Sequence, residues 1–193
     1  MANKSESALS PARIAGALRI IGWLSFWIQI VLGVVSAIIL LFAGTNLRAP
    51  SPNPNVPTSP VAANPGTGAG LFFAFLGLLA LFGSAYWAFR YTRIARKLKT
   101  PDRPGKADTA DALRMGLIIS LIGLLLTILG AQATAGALLL KSFEQGFVVL
   151  SGNPLRFITP LDIFVVQANA NTIMAHFIGL GATLLLMRSM KIL

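Results

Sequence analysis

Four stretches of this chain, residues 20–43, 71–89, 115–140 and 163–187, run for 24, 19, 26 and 25 residues without one Asp, Glu, Lys or Arg. A helix rises about 1.5 Å per residue, so roughly twenty residues cross a hydrocarbon core of about 30 Å. Within that core every backbone N–H and C=O must be bonded inside the protein, which a helix does within a single segment. The expected fold is therefore an all-α membrane protein with four transmembrane helices, forming one domain over residues 1–193. Too little chain lies outside the runs for a separate soluble domain. The first run follows basic residues but is too long for the apolar region of a signal peptide, and no small-residue cleavage site follows it. It is expected to be retained as the first span.

The distribution of charge sets the expected orientation. The formal net charge is +10, with 16 Lys and Arg against 6 Asp and Glu. In a soluble protein such an excess would suggest nucleic acid, but here it is segregated. Lys4, Arg13 and Arg19 precede the first span, eight basic residues from Arg90 to Arg114 lie between the second and third, and Arg188 and Lys191 follow the fourth. In a chain crossing four times, all of these fall on one side. Only Arg48, Lys141 and Arg156 fall on the other. By the positive-inside bias both termini and the basic hairpin 90–114 are expected in the cytoplasm, with the bilayer as partner and no nucleic acid. Cysteine is absent, which excludes disulfides, thiolate metal sites and cysteine redox chemistry.

Ser10-Pro11 reads as a helix start, and Trp23 and Trp27 suit the headgroup belt beside Arg19. Residues 44–70 carry six prolines between Pro50 and Pro65 and read as an irregular external loop. The second helix is expected to run past Tyr86, Trp87 and Tyr91, as interface anchors, and to end at Thr100-Pro101. Asp108 and Asp111 are expected to cap the third helix. Along that third span Gly116, Ser120, Gly123, Thr127, Gly130 and Thr134 alternate steps of four and three. In lipid, helices associate through close backbone approach at small residues and through interhelical hydrogen bonds. A 3.5-residue repeat of this kind implies a left-handed bundle. Lys141 to Thr159 reads as the second external loop.

The fourth span is the polar one. Gln167-Ala-Asn-Ala-Asn-Thr-Ile-Met-Ala-His176 places four amide or hydroxyl side chains and the chain's one histidine in an apolar segment. At 100° per residue Asp162, Asn169, Thr172, His176, Gly179 and Thr183 share one stripe, while Gln167 and Asn171 point away from it. A transport path would be lined by Asn169, Thr172 and His176 with Gln29 and Gln132 from other helices, and Asp162 and Glu144 would stand at its outer mouth. Asp162 also fits as a cap of the fourth helix. His176 is the candidate metal ligand. Gln167 and Asn171 are expected to face a second protomer or another partner, and helix packing alone is the plainer reading of the stripe.

Three stretches carry a family resemblance: Arg19-Ile-Ile-Gly-Trp-Leu-Ser-Phe-Trp-Ile-Gln29, Phe89-Arg-Tyr-Thr92, and Asp162-Ile-Phe-Val-Val-Gln-Ala-Asn-Ala-Asn-Thr-Ile-Met-Ala-His-Phe177. The chain resembles a four-helix membrane family of cyanobacteria and plastids, whose plant member is a chloroplast inner-envelope protein described both as an iron permease and as a protein-import translocon component. That resemblance implies a multi-pass transport-type protein for iron or another metal ion, or a structural or assembly subunit of a membrane protein complex. It also implies residence in a bacterial inner membrane or a thylakoid. No carboxylate lies deep in a span and no phosphate loop or metal motif occurs, so an enzyme is not expected. No cofactor is expected beyond a transported metal ion. A homo-oligomer would bring several copies of His176 to one axis.

Overall fold

The structure is a computed structural model and describes residues 11–46, 65–98, 100, 104–148, 158 and 160–190. It consists of four helices: α1 (Pro11–Asn46), α2 (Pro65–Lys97), α3 (Lys106–Val148) and α4 (Pro160–Ser189). All four are long and apolar enough to cross a membrane. All four start at or near residues that favour a start. Proline sits at the first position of α1, α2 and α4, where its missing N–H costs nothing. At the head of α3 the Asp108 carboxylate accepts a hydrogen bond of 3.1 Å from the Gly105 N–H, satisfying a donor that the helix itself leaves open. Arg96 and Lys97 close α2, where cations favour the carbonyl end.

Neighbouring helices run antiparallel, as their contacts show. Gly22 meets Ala88 and Tyr91 while Gly33 meets Leu81; Gly70 meets Thr134 while Gly116 meets Tyr91. Ser36 bonds the Ala168 carbonyl, and Lys141 bonds Asp162. Around the bundle α1 packs on α2, α2 on α3, α3 on α4 and α4 back on α1; α2 and α4 also meet across the middle, whereas among the described residues no Cα of α1 comes within 8 Å of one of α3. Two apolar clusters fill the ends. One joins Leu40, Leu71, Leu78, Leu81 and Val165; the other joins Leu18, Tyr91, Leu113, Leu186 and Met190 at the end bearing the basic residues. Large apolar side chains such as Ile38, Leu41 and Phe177 face outward, as lipid requires.

The helices outrun the expected spans. Residues 44–46 and 65–70, read as loop, belong to α1 and α2, and residues 47–64 lie outside the described residues. A larger correction concerns Lys141 to Thr159, because α3 continues to Val148. Lys141 is therefore helical, only 4% exposed, and faces inward. Its Nζ lies 2.8 Å and 2.9 Å from the two Asp162 carboxylate oxygens. Tyr91, expected as an interface anchor, is likewise buried, with its hydroxyl 3.3 Å from that of Thr183.

The buried pair ties α3 to the first turn of α4 at the end of the bundle remote from the basic hairpin. Replacing Lys141 takes from the buried Asp162 carboxylate the ammonium that both its oxygens touch, and breaking a buried pair in this way costs about 3–5 kcal/mol. Lys141→Met should thus lower the thermal midpoint of the detergent-solubilised protein sharply, whereas Lys141→Met with Asp162→Leu should return much of it. Equal losses in the single and double variants, measured by circular dichroism melts, would contradict the pairing.

Candidate functional site

Between the two apolar clusters lies a polar layer to which every helix contributes. On α1 the Gln29 side-chain amide donates to Ser25 Oγ over 2.7 Å. Ser84 of α2 and Ser120 of α3 join hydroxyl to hydroxyl at 2.7 Å. Gly179 of α4 faces both pairs: a Cβ there would stand 3.0 Å from Ser84 Oγ, 3.2 Å from Gln29 Nε2 and 3.2 Å from Ser120 Oγ. A methyl there would press on all three groups, which would have to give by a few tenths of an ångström. Ser25, Gln29, Ser84 and Ser120 are all buried.

One turn along α4, His176 is fully buried and wedged between α2 and α3. Its Nε2 is 3.1 Å from the Gly77 carbonyl oxygen. A carbonyl oxygen can only accept, so Nε2 carries a proton and donates. The ring occupies the place where a Cβ on Gly123 would sit, with the Ala80 methyl beside it. In this tautomer Nδ1 carries a lone pair, and it has no partner among the described residues. Gln29 Oε1 and both amide atoms of Asn169 are buried and unpartnered in the same way.

The stripe read on α4 thus lies inside the bundle: Asp162, Asn169, Thr172, His176, Gly179 and Thr183 are all buried. The hydroxyls on it bond their own helix, Thr172 to the Ala168 carbonyl at 2.8 Å and Thr183 to the Gly179 carbonyl at 2.9 Å. Two expectations need correction. Gln132 is exposed, and with Asn169 and Ile173 it lines a shallow groove of about 230 Å³ between α3 and α4, not the bundle interior. Asp162 is not an open carboxylate at a mouth, since it is buried against Lys141. The Glu144 side chain lies outside the described residues. Gln167 is exposed and Asn171 half-buried, and they bond one another at 3.0 Å. Among the described residues no three His, Cys, Asp or Glu come together as a metal cluster around His176.

This arrangement of polar groups sits in a chain with clear relatives. Residues 9–191 match the family described as protein of unknown function DUF3611. The chain belongs to this family. Protein TIC 21, chloroplastic, from Arabidopsis thaliana is 33% identical over 184 residues, covering 89% of this chain and 56% of that protein. The chain thus spans little more than half the length of this relative. No solved structure matches it. Length, composition and kinship together make it an integral membrane protein, similar to a plastid one.

Lys141, absent from the candidate residues, had a signal in the sequence. The alternation of four and three that ends at Thr134 continues through Ala137 to Lys141, and all of these positions are buried. The step from the small-residue seam to a charged side chain hid it. Within the seam, Gly123 generates a prediction. Gly123→Ala drives a methyl into the His176 ring, at a cost of about 1–3 kcal/mol, whereas Gly136→Ala, with nothing within 4 Å, should be neutral or stabilising. In a His176→Ala background the Gly123→Ala cost should shrink. Denaturation in mild detergent would read all three, and an undiminished cost in that background would place the clash elsewhere.

Proposed function

We propose that this protein is a structural or assembly subunit of a membrane protein complex, of the protein-import kind that the family resemblance implies. The observation that carries this reading is His176. Its Nε2 is bonded to a backbone carbonyl of α2 and its ring fills the notch at Gly123, so the most chemically capable side chain of the spans acts in helix packing. Ser84 and Ser120 bond one another across α2 and α3, and Thr172 and Thr183 bond carbonyls of their own helix. With these interior groups engaged within the bundle, work on a partner falls to the outer faces. The exposed Gln167 and the half-buried Asn171 on α4 offer amides to a neighbouring helix or a second copy, and the basic hairpin offers charge. In this reading both termini and the hairpin face the cytoplasm of a bacterial plasma membrane or thylakoid.

A second reading, a permease for iron or another metal ion, draws support from the buried unpartnered atoms His176 Nδ1, Gln29 Oε1 and the Asn169 amide. Such ions favour carboxylates or several imidazoles, so this reading calls on more than one protomer.

The absence of cysteine makes Gln167→Cys and Arg93→Cys clean anchors for a photo-crosslinker. The assembly reading expects discrete protein adducts from one or both positions in native membranes; folded protein that crosslinks only to lipid would overturn it. The permease reading expects metal-dependent quenching of a dye inside proteoliposomes that His176→Ala abolishes while helicity and insertion persist. Unchanged flux in that variant would remove His176 from any path.

A further inference from the structure

We infer that the groove between α1 and α2 at the basic end of the bundle holds one anionic phospholipid. The groove has a volume of about 510 Å³ and is lined by Arg19, Ile20, Trp23, Leu24 and Trp27 of α1 with Thr92 and Arg96 of α2. That is within the usual range for a small-molecule site. Its lining is graded along the membrane normal. Arg19 is the last charged residue before the first apolar run, and Trp27 lies eight residues further, about 12 Å deeper along the helix. The mouth is therefore cationic and the depth aromatic and aliphatic, which is the polarity of a phosphate joined to acyl chains.

The groove is built and not merely open. Gly22 brings α1 against α2, with its Cβ direction 3.0 Å from the Ala88 carbonyl oxygen and 3.4 Å from the Thr92 methyl, so the two walls are held at a fixed separation. The Trp23 ring is braced by Phe26, Trp27 and Phe89 at centroid distances of 5.8, 5.8 and 6.5 Å, yet Trp23 and Trp27 keep 46% and 48% of their surface exposed. They form a rigid wall with a free face.

Charge selects the occupant. Arg19 and Arg96 make no ion pair among the described residues, and the described acids at this end are engaged elsewhere: Asp111 lies 3.7 Å from Arg114, and Asp108 accepts from the Gly105 N–H. Two arginines lining one groove suit a phosphate oxygen pair. A zwitterionic lipid would bring its own ammonium beside them and forfeit much of that attraction. On the far side of α2 a second cleft carries Arg90, Arg93 and Lys97, but Asp108 lines it and Arg90 and Arg93 lie over Trp87 and Phe89. The α1–α2 groove is thus the better anion site.

The tryptophans in the wall supply the readout. In full-length protein carrying Trp87→Phe, fluorescence comes from Trp23 and Trp27 alone. Brominated phosphatidylglycerol should quench it at about fivefold lower mole fraction than brominated phosphatidylcholine of the same chains, the preference that about one basic residue near the surface confers. Arg19→Gln with Arg96→Gln should abolish that difference, while Arg114→Gln should leave it. Inorganic phosphate should not reverse the quenching, because the acyl chains share in the binding. Equal quenching by the two lipids in the parent, a preference that survives the double substitution, or displacement by phosphate alone would each overturn the site.

Discussion

Helices surrounded by lipid gain nothing from the hydrophobic effect by touching one another, so this bundle depends on how closely their backbones approach. α3 provides the seam. At Gly116, Gly123 and Gly130 no Cβ could be accommodated without displacing a neighbour, and the same holds for Gly70 and Gly77 on α2. Each close approach admits a particular partner: Tyr91 lies over Gly116, His176 over Gly123, Thr127 over Gly77. The Ser84–Ser120 hydrogen bond across α2 and α3 is short enough to form only because the seam around it is narrow.

This packing decides where polar groups can act. A hydroxyl or amide inside a low-dielectric bundle is costly unless bonded, and most of those here bond a backbone carbonyl or one another. The interior therefore reads as a hydrogen-bonded spacer between two apolar clusters. The remaining chemistry lies outside: amides on the outward side of α4, a distal ion pair that clamps α3 to α4, and arginines with tryptophans at the basic end. A bundle arranged in this way is suited to making contacts with lipid and with other helices.

Much of this was legible in the chain itself. Four uncharged runs define four helices, and the alternation of four and three from Gly116 to Thr134 marks the face of α3 that the structure buries. The 100° wheel separates the buried stripe of α4 from Gln167 and Asn171. Misreadings occurred where a polar residue has two physically sensible destinations. Lys141 looked like the start of a loop because a lone lysine after an apolar run usually meets water, yet its place on the heptad seam turns it inward to Asp162. Gln132 is two residues from both Gly130 and Thr134, about 200° around the helix from that seam, and the structure leaves it exposed.

By itself the sequence determined that the chain must be helical and cross a bilayer, because long uncharged runs leave the backbone no other way to satisfy its polar groups. It also determined which faces could pack, because small residues at helical spacing are what allow close contact. Only the tertiary structure decided which polar groups meet, His176 with the Gly77 carbonyl, Ser84 with Ser120 and Lys141 with Asp162, and that Arg19 and Arg96 line one groove. These pairings join residues of different helices. They depend on the rotation and axial register of each helix against its neighbours, which the shapes of the side chains settle jointly and no single segment encodes.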